Sequence, residues 1–175
     1  MGMPSMGIYA YELFEFFGVK SIIRAGSAGG YSDGLRLRDI VIALTAATDS
    51  DSVKFFGASR YENIPASARL TDLARKSSIE RNLPAVGGAV YSSDVFYSPP
   101  EHALEWKKRG ALAVEMETAM LYAIARKLGK DALAVLAVSD LPLAGASLGA
   151  DERESSFTEM ITLALDVAAR VSDGI

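Results

Sequence analysis

The chain is 175 residues long, half of them hydrophobic, with a formal net charge of −4 and no basic stripe; one domain over 1–175 is expected, able to bury roughly 70% of its unfolded surface, with neither nucleic acid nor an anionic membrane as partner. No cysteine is present and His102 is the single histidine, which excludes disulfides, thiolate catalysis, Cys-ligated metal and a His-rich metal site. The chemistry is left to carboxylates, arginines, hydroxyls and backbone.

The opening stretch "MGMPSMGIYAYELFEFFGVK" has no basic residue before Lys20 and places Glu12 and Glu15 inside its apolar part, against a signal peptide. The longest apolar run, 132–138, falls far short of the ~20 residues that span a bilayer. A cytoplasmic protein is expected. "SIIRAGSAGG" (21–30) reads as a strand breaking into glycines, and "DIVIAL" (39–44) as a second strand. "ARLTDLARKSSIERN" (68–82) has helical spacing. Strands follow at 85–94, 111–117 and 132–140, separated by helical patterns in "PEHALEWKKRG" and in "TAMLYAIARKLG", where Leu121, Ile124, Ala125 and Leu128 recur. The alternation predicts a three-layer α/β/α fold around a central, mostly parallel or mixed sheet.

"VEMETAM" (114–120) poses the first question about chemistry, because it sets Glu115 and Glu117 one residue apart among apolar neighbours. On a strand reaching residue 117 the two carboxylates share a face, and Glu117 ends that strand beside a helix N-terminus. Ligands bind at that edge of open α/β sheets, the helix dipole favours an ionised carboxylate, and such a group accepts two hydrogen bonds from a vicinal diol. A plain helix cap suits the same position. Ser139 and Asp140 close an apolar strand in the same way. A desolvated acid there suits proton donation, while an Asx turn is the commoner use of Asp.

The last helix has Phe157, Met160, Ile161, Ala164, Leu165 and Ala168 as its apolar stripe, with Asp151 and Glu154 resembling a capping box. Arg153 lies four residues before Phe157, in the first turn, where the dipole disfavours a cation. Asp140 is a candidate partner for it; an ordinary surface arginine is the alternative. "RAGSAGG" (24–30) offers an arginine, a hydroxyl and closely spaced N–H groups, the parts of a small oxyanion site. It is neither a P-loop nor G-x-G-x-x-G, and glycines after a strand also serve tight geometry alone.

"GMPS", "IIRAGSAGG", "DVFYSP" (94–99), "AVEMETA", "AVSD" and "DERESSF" (151–157) occur in the order seen in the nucleoside phosphorylase family, and the chain most resembles its hexameric, bacterial-type purine nucleoside phosphorylases over nearly its whole length. The resemblance implies phosphorolysis of purine nucleosides to free base and pentose 1-phosphate, a pentosyltransferase activity of purine salvage. It implies no cofactor, inorganic phosphate as co-substrate, and a homo-oligomer built from dimers. Arg24 and Ser27, with the backbone of Ala25 and Gly26, would hold phosphate; Met116 would pack under the ribose and Glu117 bind its hydroxyls. Phe96, Val114 and Glu115 would line the base pocket, and Asp140, beside Ser139 and helped by Arg153, would protonate the purine.

Members of that family begin with an upstream segment bearing a G-D-P-x-R type loop, so the resemblance also implies missing first strands and an open sheet edge. A hydrolytic nucleosidase and a non-catalytic nucleoside-binding paralogue are the alternatives. Uridine phosphorylase fits less well, since "FYSPPEHA" lacks the glutamine and arginine expected to read a pyrimidine.

Overall fold

The computed structural model describes residues 2–149, 151–152 and 157–172. Helix α1 (Gly2–Glu15) leads into β1 (Ser21–Gly30) and β2 (Ile40–Ala47), followed by a short 3₁₀ helix (Ser52–Phe56) and β3 (Ile64–Pro65). Then come α2 (Ala68–Glu80), β4 (Ala85–Ser92), α3 (Pro100–Lys108), β5 (Ala111–Glu115), α4 (Thr118–Leu128), β6 (Asp131–Leu141), β7 (Ala146–Ser147) and, as α5, Thr158–Ser172.

The strands lie in the order β3-β2-β4-β5-β1-β6-β7. The long pairings, β1 with β6, β2 with β4 and β4 with β5, are parallel, and the antiparallel ones are short. The sheet is therefore mixed and mostly parallel, as the sequence pattern predicts. It is not open, however. Ile40, Val41 and Ile42 of β2 pair antiparallel with Ala137, Leu136 and Val135 of β6, so that β2, β4, β5, β1 and β6 close into a ring.

The apolar run of β6 shows how this arrangement follows from sequence. Ala132, Ala134, Leu136 and Val138 belong to one core, under α1 and α4, whereas Leu133, Val135 and Ala137 belong to another, under α2 and α5. Alternate residues face opposite helical layers, which is why the strand tolerates no polar residue between its ends. Helix α4 is buried from Thr118 to Ala125 because α1 covers its outer side. A helix apolar on all sides needs such cover. On the opposite layer, Asp166 of α5 is bonded by Arg81 and, at 2.8 Å, by Arg170, which clasps α5 to the end of α2.

Four expectations need correction. Strand β5 stops at Glu115, and Glu117 stands at the N-cap of α4 with φ −136° and ψ −31°, because the turn into α4 begins two residues earlier than alternation suggests. In α5 the buried line is Met160, Leu163, Ala164 and Val167; Ile161, Leu165 and Ala168 face outward. Both lines have helical spacing, and only docking against β1, β6 and α2 selects between them. The acidic pair proposed as a capping box does not start this helix: Thr158 does, and Glu154 lies outside the described residues. In place of an open sheet edge there is a gap inside the ring. Strand β5 meets β1 only at Gly29 and Gly30, so among the described residues β1 has no strand partner on that side from 21 to 28.

Candidate active site

The C-terminal ends of β1 and β6 run side by side, and the end of β5 arrives against them from the opposite direction. A cavity of about 420 Å³ opens where they meet. It is lined by Arg24, Ser27, Phe96, Val114, Glu115, Met116, Glu117, Ser139 and Asp140 from the sequence reading, joined by Tyr31 and Leu143. Residues far apart in sequence are thus gathered at one sheet edge, the place that strand-end reasoning indicates.

One end of the cavity is an ionic cluster. Arg24 reaches from β1 to both carboxylates, paired with Glu117 and 3.4 Å from Glu115. Glu115 is 5% exposed and its oxygens are spoken for: they accept from Ser92 Oγ, from the Glu117 N–H at 2.9 Å and from the Thr118 N–H at 2.9–3.0 Å. Ser92 Oγ in turn accepts from the Ala119 N–H at 2.8 Å. Glu115 thereby satisfies amides at the start of α4, where the helix dipole also favours its charge. It borders the cavity, but its carboxylate is committed to the helix start and to Arg24.

Glu117 is placed differently. Burial opposes its ionisation, yet Arg24 and a 2.8 Å hydrogen bond from the Gly2 N–H outweigh that cost, so its pKa lies below the ordinary glutamate value. The Arg24 guanidinium lies across Gly26, where a Cβ would collide with it. That residue must therefore be small, and its neighbour Ala25 is exposed. Neither Ala25 nor Gly26 lines the cavity; they pair with Val135 and Leu136 along β1. Arg24 Nη1 is buried without a hydrogen-bond partner.

The other end is built from aromatic and apolar groups around one acid. Asp140 Oδ1 accepts from Ser139 Oγ at 2.7 Å. Its Oδ2 faces Gly29, where a Cβ would come within 2.9 Å of it, so the glycine makes room for the carboxylate. Phe96 is 69% exposed on the loop after β4 and meets Tyr97 edge to face at 5.0 Å. Tyr31 is the polar group at this end that sequence reasoning missed. Burial and then the Asp140 charge push its hydroxyl pKa up to about 12, so it is a phenol, a hydrogen-bond donor, at any ordinary pH. The available signal was a tyrosine following two glycines at a strand's C-terminal end, where an amphipathic ring can pack and still show its hydroxyl. Arg153 lies outside the described residues.

The family profile described as the phosphorylase superfamily matches residues 1–175. A purine nucleoside phosphorylase DeoD-type of Clostridium beijerinckii is 44% identical over 99% of this chain and 73% of its own length. One of Myxococcus xanthus is 43% identical over 96% and 71%. A solved structure titled as the P. knowlesi homolog of P. falciparum PNP superposes with a TM-score of 0.83 at 25% identity, covering 97% of this chain and 69% of that one. With the fold and the whole sequence in agreement, the chain belongs to the phosphorylase superfamily, among the relatives of the DeoD-type purine nucleoside phosphorylases.

Proposed function

We propose that this chain cleaves purine nucleosides with inorganic phosphate, releasing the free base and the pentose 1-phosphate. The observation that carries this reading is a single cavity holding a cation and a hydroxyl for phosphate, a carboxylate for the sugar diol and a carboxylic group for the base. Arg24 and Ser27 bind the phosphate, and Glu117, with Met116 beside it, receives the ribose hydroxyls. Phe96 and Val114 flank the purine. Asp140, held by Ser139 and assisted by Arg153, gives a proton to a purine ring nitrogen as the glycosidic C–N bond breaks and a phosphate oxygen bonds to the sugar carbon. Protonation improves the leaving group, and the phosphate stabilises the oxocarbenium character that develops. Arg24 serves both ends of this step, because the guanidinium that attracts phosphate also keeps Glu117 ionised as an acceptor. No cofactor takes part in this scheme.

The test is incubation with inosine, with and without phosphate. Hypoxanthine and ribose 1-phosphate in equal amounts, formed only with phosphate, are expected. Free ribose would favour the nucleosidase alternative, and inosine binding without turnover the binding paralogue.

Self-association belongs to the same proposal. Ile8, Leu13, Phe16 and Phe17 of the first helix and its exit, and Phe55 of the 3₁₀ helix, are exposed apolar side chains, and among the described residues β1 has no strand partner on its β5 side from 21 to 28. Exposed apolar patches and bare strand edges are features that a second copy can cover. Light scattering after size exclusion checks this, and a stable dilute monomer would contradict it.

A further inference from the structure

Beside the nucleoside cavity lies a second cavity of about 520 Å³, and Ser93, Val95 and Ser98 line both. The loop 93–99 is therefore the wall between them, and it carries Phe96 on the nucleoside side. Ser93 Oγ donates to the Val95 carbonyl at 2.8 Å and accepts from the Val95 N–H at 3.1 Å, which closes a tight turn just before Phe96. Behind the turn, the buried Tyr91 donates its hydroxyl proton to Asp49 Oδ1 at 3.0 Å. The second oxygen of Asp49 stands 3.0 Å from Nε2 of His102, in the first turn of α3. One turn further, Trp106 stacks on the Tyr91 ring at 3.9 Å and sets its Nε1 3.3 Å from the same His102 nitrogen.

A count of protons fixes the arrangement. Nε2 cannot both donate to Asp49 and accept from Trp106. A carboxylate at 3.0 Å requires the N–H, and charged acceptors make the stronger bond. His102 Nδ1 is buried without a partner. Asp49 thus accepts from Tyr91 of β4 and from His102 of α3, the two elements between which the loop is strung. Asp94, Glu101 and Glu105 also line this second cavity, but among the described residues no His and carboxylate group is placed to hold a metal ion.

We propose that Asp49 and His102 are positioning residues for the base end of the site: by pinning both ends of loop 93–99 they set where Phe96 stands against the purine. The proposal rests on the nucleoside reading above and adds to it how base affinity is tuned from outside the cavity. Exchange of His102 for leucine removes the donor to Asp49, whereas His102→Gln keeps an N–H of similar reach. The leucine variant is expected to raise the nucleoside KM about tenfold, leaving kcat and the phosphate KM within about twofold, and the glutamine variant to restore most of the loss.

Trp106 is the single tryptophan and does not line the nucleoside cavity, so its emission reports the clamp directly. Hypoxanthine should shift that emission in the unaltered protein and leave it unmoved in the leucine variant. Parallel rises in both KM values, a leucine variant indistinguishable from the parent, or a glutamine variant no better than leucine would overturn the clamp. A parent that neither binds hypoxanthine in calorimetry nor cleaves inosine would overturn the nucleoside reading with it. A parent and a leucine variant that bind hypoxanthine equally would overturn the clamp alone.

Discussion

The two ends of the nucleoside cavity are built on opposite plans. At one end Arg24, Glu115 and Glu117 are interlocked, buried and bonded to the start of α4; at the other, Asp140 has Ser139 as its hydrogen-bond donor and Phe96 stands largely exposed. The difference follows from the physics of burial. Charges held out of water must be paired by the fold before any ligand arrives, whereas an acid that has to give up a proton is better left with few donors. The interlocked end should therefore matter for folding as well as binding, and the open end for base binding and turnover with little effect on folding.

The strongest way to break this contrast is Glu115→Ala, which strands Ser92 and the Glu117 and Thr118 amides at once and leaves Arg24 with Glu117 alone. A buried donor left unsatisfied costs about 1–3 kcal/mol, and with three of them stranded a loss of about 3–5 kcal/mol is expected in denaturant unfolding. A loss under about 1 kcal/mol would show the cluster to be ornamental. At the open end, Asp140→Asn keeps shape and loses the transferable proton, so inosine cleavage should fall by about 10²-fold with little change in stability. Arg153→Ala should act through the same step, and the double variant should cost less than the sum of the singles.

Glu117→Ala tests the border between the two plans. It removes the diol acceptor and leaves the base contacts, so calorimetry should show nucleoside affinity falling by roughly tenfold while hypoxanthine affinity is kept. Equal losses for both ligands would refute the role. The smallest effect on stability is expected for Phe96→Ala, within about 0.5 kcal/mol of the parent as for exposed positions, with hypoxanthine binding about tenfold weaker, no less than in His102→Leu.

How much of this was legible in the sequence depended on the range of the forces involved. The β6 run, the α4 pattern and the strand-end placing of Asp140 rest on local periodicity, and the structure agrees with them. The glycine-rich turn itself offered Arg24 and Ser27, and the resemblance supplied Phe96 at the cavity. The commitment of Glu115 to α4 was not legible, because alternation treats it and Glu117 as equivalent and only the turn after β5 separates them. Nor was the closing of the sheet, since the β2–β6 pairing joins residues nearly a hundred positions apart. The outward face of α5 was misread because two apolar lines compete on one helix. The pair of Asp49 with His102 is a long-range meeting that no spacing announces.

The central claim is that Asp140 supplies the proton that lets the base leave, and the most direct test replaces the need for that proton. Inosine methylated at the ring nitrogen N7 already carries a positive charge on its base, and its glycosidic bond can break without an acid. Asp140→Asn should lose about 10²-fold on inosine while keeping its rate on the methylated nucleoside; an equal loss on both substrates would contradict the account.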